Sequence, residues 1–415
     1  GEYAPIELDA SMSGTPESPT IIRAAEGATP VIKVKTGEIQ SGEDDMDEAF
    51  GIHMTNVENV VVEGFAIEGG TRGIYYESTR DRGEESLGNI TIKNCSVSGV
   101  VGAHGICVYA RNDLAPVTGL TIDGCEVKDC KCGDSESLVL NGNVDGFVVS
   151  NNTIHDNNNI GIDMIGFEGT AKHPKGEGFE NLYDADYARN GQCFGNVVYN
   201  ISAEGNAAYF YDGAYDLCAD GIYVDGGQNI EIYNNFVYSC DIGMEVATEH
   251  SPDDNELFKV SGIKVYDNVV ADCEGWCGLC FGGYDKDLGF TEECEFYNNT
   301  FIDNGTQIGV QRSKNNSIHD NLFVGGDSCI EFNTDCREGD MVNDFGSNVW
   351  CVKGALEDYI EVGDYDIETL MPGGAAEAQK VLHKRGEVID GVKSLVDGVG
   401  SGYVHDDQEV AKWQK

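Results

Sequence analysis

Three acidic residues sit inside short motifs that otherwise read as buried strands. Asp163 lies in GIDMIGFEG (161–169), Asp225 in GIYVDGG (221–227) and Glu245 in GMEVATEH (243–250). In the shared pattern Gly-Ile-x-Val-y, alternation turns Ile and Val to one face and x and y to the other. Position x reads Tyr75, Cys107, Val139, Asp163, Tyr223, Glu245 and Cys280, and position y reads Glu77, Tyr109, Asn141, Ile165, Asp225 and Ala247. If such strands stack, Asp163 and Glu245 emerge on one solvent-facing side, about 10 Å apart at Cα, with Asp225 displaced by two residues. Like charges this close repel unless one holds a proton or a cation binds. The matching chemistry is glycoside hydrolysis, which needs a proton-donating carboxyl and a second carboxylate about 5 Å away for retention or 6.5–9.5 Å for inversion. We therefore expect Asp163, Asp225 and Glu245 to be catalytic.

Two insertions, 166–190 and 203–220, flank these motifs and are rich in aromatics, among them Phe167, Tyr183, Tyr187, Tyr209 and Tyr211. Aromatic walls over an acidic floor suit a polysaccharide or glycan. Tyr223, Asp220, Arg189, Glu168 and His250 are the expected substrate contacts. Elimination on a uronate is the competing chemistry. It calls for a Lys or Arg base, and the three strands carry no Lys, although Lys172 and Lys175 lie in an insertion. Neither reaction requires a cofactor, and Ca²⁺ is the one ion the acids would suit. The non-catalytic alternative is a stiff structural glycoprotein of a surface, matrix or fibre, able to self-assemble, whose acids bind glycan or calcium.

The elements that position these residues repeat. NITIKNCSVSGVVGAHGICVYA (89–110), GFVVSNNTIHDNNNIGIDMIG (146–166), NIEIYNNFVYSCDIGMEVA (229–247) and GIKVYDNVVADCEGWCGLCFG (262–282) share one plan. Each has an alternating strand, an Asn/Asp/Gly corner, a very short strand, a polar turn and a Gly-Ile-x-Val strand. Period-2 alternation argues strand, and strands this short bury a core only by stacking as successive rungs. With its corner Asn residues (Asn152, Asn196, Asn235, Asn268, Asn299, Asn321), the chain resembles the pectin-lyase-like superfamily over residues 5 to about 350. That resemblance implies an all-β, right-handed parallel β-helix, a solenoid of roughly 9 to 12 rungs with loop insertions. It also implies kinship with lyases, hydrolases and epimerases of polysaccharides, among which a fold alone does not choose. Residues 351–415 form a short C-terminal cap in this reading, with one helical run at Ala375 to Lys384.

The net charge of −47 argues against nucleic acid or an anionic membrane as partner, and no apolar run reaches the roughly 20 residues of a membrane span. Fifteen cysteines and sequons at Asn89, Asn94, Asn151, Asn200, Asn298, Asn304 and Asn315 favour a secreted or cell-surface protein. Cys95 with Cys125, and Cys240 with Cys273, occupy equivalent places in consecutive repeats and are expected to form disulfides. The chain opens mid-pattern at GEYAPIELDA, as expected of a processed or incompletely recorded N-terminus.

Overall fold

A computed structural model describes residues 1–35, 48–251, 254–333, 342–346, 348–351, 355–363 and 366–371. The expected cap helix at 375–384 lies outside the described residues. The chain is an all-β, right-handed parallel β-helix made of two compact units. The N-terminal unit comprises residues 1–192 and 200–219, and the C-terminal unit residues 193–199 and those from 220 onward.

Each rung has three short strands that feed three parallel sheets. In the N-terminal unit one rung runs through Ile90–Lys93, Ser96–Ser98 and Ile106–Ala110; in the C-terminal unit one runs through Lys264–Tyr266, Val269–Ala271 and Cys277–Phe281. The third sheet, made of the Gly-Ile-x-Val strands, has six described strands in each unit. Neighbours pair in register without slippage: Ile74 with Ile106, Ile106 with Leu138, and Leu138 with Ile162. The alternate residues Ile222, Val224, Met244, Val246, Leu279 and Phe281 point inward and are buried.

The recurring glycine is a packing requirement. A Cβ on Gly243 would lie 2.4 Å from the Gly278 carbonyl oxygen and 2.3 Å from Val270 Cγ1. On Gly221 it would lie 2.7 Å from the Gly243 oxygen. At Gly221 and Gly243 each rung leans so closely on the next that only glycine fits, whereas Ser137, Gln307 and Cys329 hold the same place in other rungs.

The corners carry the asparagine ladder. In the C-terminal unit the backbone N–H of Asn235 donates to Asn268 Oδ1 at 2.9 Å, that of Asn268 to Asn299 Oδ1 at 3.1 Å, and that of Asn299 to Asn321 Oδ1 at 2.9 Å. Each side-chain amide also donates to a backbone carbonyl or to the next Asn, so the buried bend has no orphaned peptide group. In the N-terminal unit Asn152 does the same for Cys125 N–H at 2.9 Å.

This corner explains the sequons. Asn89, Asn94, Asn151, Asn200, Asn298 and Asn315 are exposed and all have φ between 51° and 57°, the left-handed region that Asn tolerates. In NNT (298–300) and NNS (315–317) the first Asn turns the chain, the second enters the ladder and the Thr or Ser begins a strand. The spacing is thus set by turn geometry. Asn304 corrects the expectation outright: it is buried, accepts from Cys273 N–H at 3.0 Å and cannot carry a glycan in the folded chain.

The expected disulfides are also corrected. Cys95, Cys125, Cys240 and Cys273 are all thiols. Cys95, Cys240 and Cys273 donate to the carbonyls of Lys93, Tyr238 and Ala271, each two residues upstream. Cys95 and Cys125 lie one above the other on adjacent rungs with their thiols in hydrogen-bond contact. Alkylation under denaturing conditions without reductant should label all four.

The ladder gives a stability test. Asn268→Ala strips the acceptor from Asn235 and the donor to Ile232, and should cost about 3 kcal/mol in urea unfolding. Asn298→Gly, at the neighbouring left-handed position, should change stability by no more than about 0.5 kcal/mol.

Candidate functional site

Register fixes the outward column of the third sheet in the C-terminal unit: Tyr223, Glu245, Cys280, Gly309 and Glu331 lie on successive strands. Asp225 pairs with Ala247, so it stands one strand and two residues from Glu245, about 8 Å at Cα. The column is less open than the sequence suggests. Tyr223 and Asp225 are buried, with Asp225 accepting from Glu249 N–H at 3.2 Å, while Glu245 keeps partial exposure. Burial pushes the Glu245 carboxyl up to about 7, and Glu249 adds repulsion. Hydrogen bonds with Cys280 and Asp220 pull the other way but do not win. Asp220 is itself buried, so Glu245 and Asp220 form a carboxyl pair in contact, sharing a proton more readily than both ionising.

Two aromatics missed in the sequence flank this set. Tyr284 is 55% exposed, and its phenol is pushed up by partial burial and by Glu249, Asp285, Glu245 and Asp225. Trp276 packs beside Ile242, Cys277 and Cys280. The signal available was the glycine-rich GWCGLCFGGY (275–284). His250 is half-buried against Phe258; burial lowers its pKa, and its Nε2 has no hydrogen-bond partner among the described residues.

The remaining expected residues belong to the N-terminal unit. Asp163 is buried, in register with Val139, on an outer face filled by Tyr75, Cys107, Val139 and Ile165. It therefore does not face solvent as expected. Glu168 is exposed and accepts from Asn141 Nδ2 at 2.7 Å. Arg189, expected at a rim, is a tie: it donates to Asp145 at 3.1 Å, Asn143 at 3.0 Å and the Tyr187 carbonyl at 3.0 Å. Asp186 caps the Gly169 and Ala171 N–H groups, and burial raises its carboxyl. In the same insertion His173 bridges Asp113 at 2.8 Å and Asp184 at 2.6 Å, stacked on Phe179. A polar network unread in the sequence lies on the outer face: Tyr75 OH donates to Glu77 at 2.9 Å and accepts from Arg111 at 3.3 Å, with His53 Nε2 3.2 Å from Glu77.

With this geometry in hand, the comparisons assign a family. Residues 16–168 and 183–354 match the family described as periplasmic copper-binding protein (NosD). The chain belongs to that family. It is 34% identical over 354 residues to the uncharacterized protein YwoF of Bacillus subtilis (strain 168), covering 81% of this chain and 69% of that one. Among solved structures it is similar to the mannuronan C-5 epimerase AlgE6 A-module of Azotobacter vinelandii, with TM-score 0.50, 13% identity and coverage of 85% and 90% of the two chains. The GH136 lacto-N-biosidase from Eubacterium ramulus is more distant, with TM-score 0.46, 13% identity and coverage of 86% and 60%. At these identities the likeness shows the fold, one shared with polysaccharide-active proteins. No helix among the described residues is long and apolar enough to cross a membrane.

The family's description names copper, and Ca²⁺ is the ion expected of the acids. Among the described residues no three His, Cys, Asp or Glu are grouped to hold a metal ion.

The raised carboxyl has a thermodynamic signature. Native Glu245 holds its proton to about 7, against an ordinary 4.5, so between those values the native state binds more protons than the unfolded one. Its contribution to stability therefore falls as pH rises through that window. Glu245→Gln should match the wild-type Tm near pH 4.5 and exceed it at pH 8, as read by scanning calorimetry.

Proposed function

We propose that the protein is a glycan-acting hydrolase whose proton donor is Glu245 and whose second carboxylate is Asp225. The observation that carries this reading is that Glu245, a partly exposed residue on the outer face of a β-helix sheet, has a carboxyl whose burial pushes it up to about 7, with another carboxylate nearby. A general acid works best with a pKa near the operating pH. The Cα atoms of the two residues stand about 8 Å apart on the same face, and the reading requires their carboxyl groups to lie in the 6.5–9.5 Å span of inverting enzymes, which leaves room for a water. In that scheme Glu245 gives its proton to the glycosidic oxygen as the bond to the anomeric carbon breaks. Asp225 takes a proton from the water that attacks the opposite face. Asp220 touches Glu245 too closely to act as the second carboxylate, and it holds that proton in place. On this reading the protein works outside the cytoplasm, on glycan of the periplasm or the cell surface.

One observation favours a second reading, elimination on a uronate. In the N-terminal unit the Tyr75 hydroxyl is held between Glu77 and Arg111, and the Arg72 guanidinium lies 5.3 Å from the Tyr75 ring centroid. Guanidinium groups beside a phenol suit a carboxylate-bearing sugar, although burial pushes the Tyr75 phenol up and opposes its use as the base.

A screen of neutral and uronate polysaccharides separates the two. Hydrolysis should yield new reducing ends with a basic limb near pH 7, and both Asp225→Asn and Glu245→Gln should reduce it at least a hundredfold while the fold persists. An unsaturated product absorbing in the ultraviolet, lost in Tyr75→Phe, would replace the hydrolase reading by elimination. Glycan binding without turnover would leave only the non-catalytic role.

A further inference from the structure

Trp276 is held in an unusual way for a side chain outside the helix core. Its backbone is locked into the ladder, N–H to the Asp241 carbonyl at 2.9 Å and carbonyl to Thr306 N–H at 2.8 Å. Its indole Nε1 donates to Glu331 Oε2 at 2.9 Å, and Thr306 Oγ1 fixes the same carboxylate oxygen at 3.3 Å. The ring crosses the outward column at Gly309, where a Cβ would lie 2.7 Å from Trp276 Cζ2 and 2.8 Å from Cη2. Gly309 thus leaves the one gap in a column of side chains, and the indole fills it. One edge packs on Ile242, Cys277 and Cys280, and the residue stays partly exposed.

A core tryptophan would be fully covered and a surface one would be free to rotate; this one is partly exposed and immobilised. Gly309 stands two strands from Glu245, about 10 Å, a distance an oligosaccharide spans. Aromatic faces take the C–H side of pyranose rings, and a rigid platform does so with little ordering cost. The surrounding groups narrow the class: Asp225, Glu249 and Glu331 would repel a uronate carboxylate.

We propose that Trp276 is the stacking platform for an uncharged hexopyranose ring of the glycan whose bond lies at Glu245. This rests on the hydrolase reading for the position of the bond, and on the geometry of Trp276 and Gly309 for the platform. Gly309→Ala should displace the indole and weaken binding as Trp276→Ala does.

The test is calorimetric titration of the full chain with three linear hexasaccharides: a neutral hexose, an N-acetylhexosamine and a hexuronate. A neutral or N-acetylated hexasaccharide should bind, with Kd raised at least tenfold in Trp276→Ala and in Gly309→Ala. Trp276→Phe should recover a large part of the loss, and circular dichroism should show each variant folded. An unchanged Kd in Trp276→Ala, preferential binding of the hexuronate, or no binding of any of the three would overturn the proposal. Trp276-dependent binding by wild type and by Glu245→Gln, with no turnover by wild type, would keep the platform and remove the hydrolase. Turnover lost in Glu245→Gln but intact in Trp276→Ala would do the reverse.

Discussion

In-register parallel stacking is the constraint on which the rest of the structure depends. Because each rung repeats the position of the last, every side-chain position becomes a column one strand spacing apart. Columns succeed only when their members tolerate themselves as neighbours. Asn does, since an amide both donates and accepts along the stack. Aromatic rings do as well. Phe194, Tyr233, Tyr266, Tyr297 and His319 form a continuous outer stack with centroids 4.9, 5.0, 5.0 and 5.4 Å apart, near the rung spacing itself. A slip of one residue would turn each of these columns to the opposite face, so the ladders hold the register as firmly as the core does.

Carboxylates are the poor members of such a scheme. On the outer face of the third sheet in the C-terminal unit, Glu245 has Tyr223 on one side and Cys280 on the other, not another acid. The acids that do approach it come from elsewhere along the strands and loops: Asp220, Asp225 and Glu249. The molecule lowers the cost by keeping a proton on Glu245, which is the state a general acid needs. Structural economy would have placed an apolar or amide side chain there, as Val139 stands in the equivalent column of the N-terminal unit.

The fold was legible because it is written in periodicity. The columns read from the sequence, Tyr75–Cys107–Val139–Asp163 and Tyr223–Glu245–Cys280, are the registers observed. Direction was legible too, but exposure was not. Asp163 and Asp225 point away from the core and are nonetheless buried, Asp225 against the Glu249 N–H of the next rung and Asp163 on a face filled by Tyr75, Cys107, Val139 and Ile165. Arg189 and His173 show the same limit: their partners Asp145 and Asp113 are remote in sequence, so an apparent rim charge proved to be a tie within its own unit. Trp276 escaped notice because its meaning depends on the absence of a side chain at Gly309, two strands away.

Misread signals share a cause with those read correctly. The Asn-x-Ser/Thr spacing arises wherever a left-handed corner Asn, a ladder residue and a strand-opening hydroxyl follow in order, as at Asn298, Asn299 and Thr300. Paired cysteines arise wherever the ladder position accepts a small buried side chain, as at Cys95 and Cys125. Both patterns follow from the geometry of the corner, so neither by itself marks a secreted glycoprotein. Chemistry has to be sought where the columns break their own rule. In the C-terminal unit the outward column does so twice, with a carboxyl raised to about 7 at Glu245 and, two strands on, a missing side chain at Gly309.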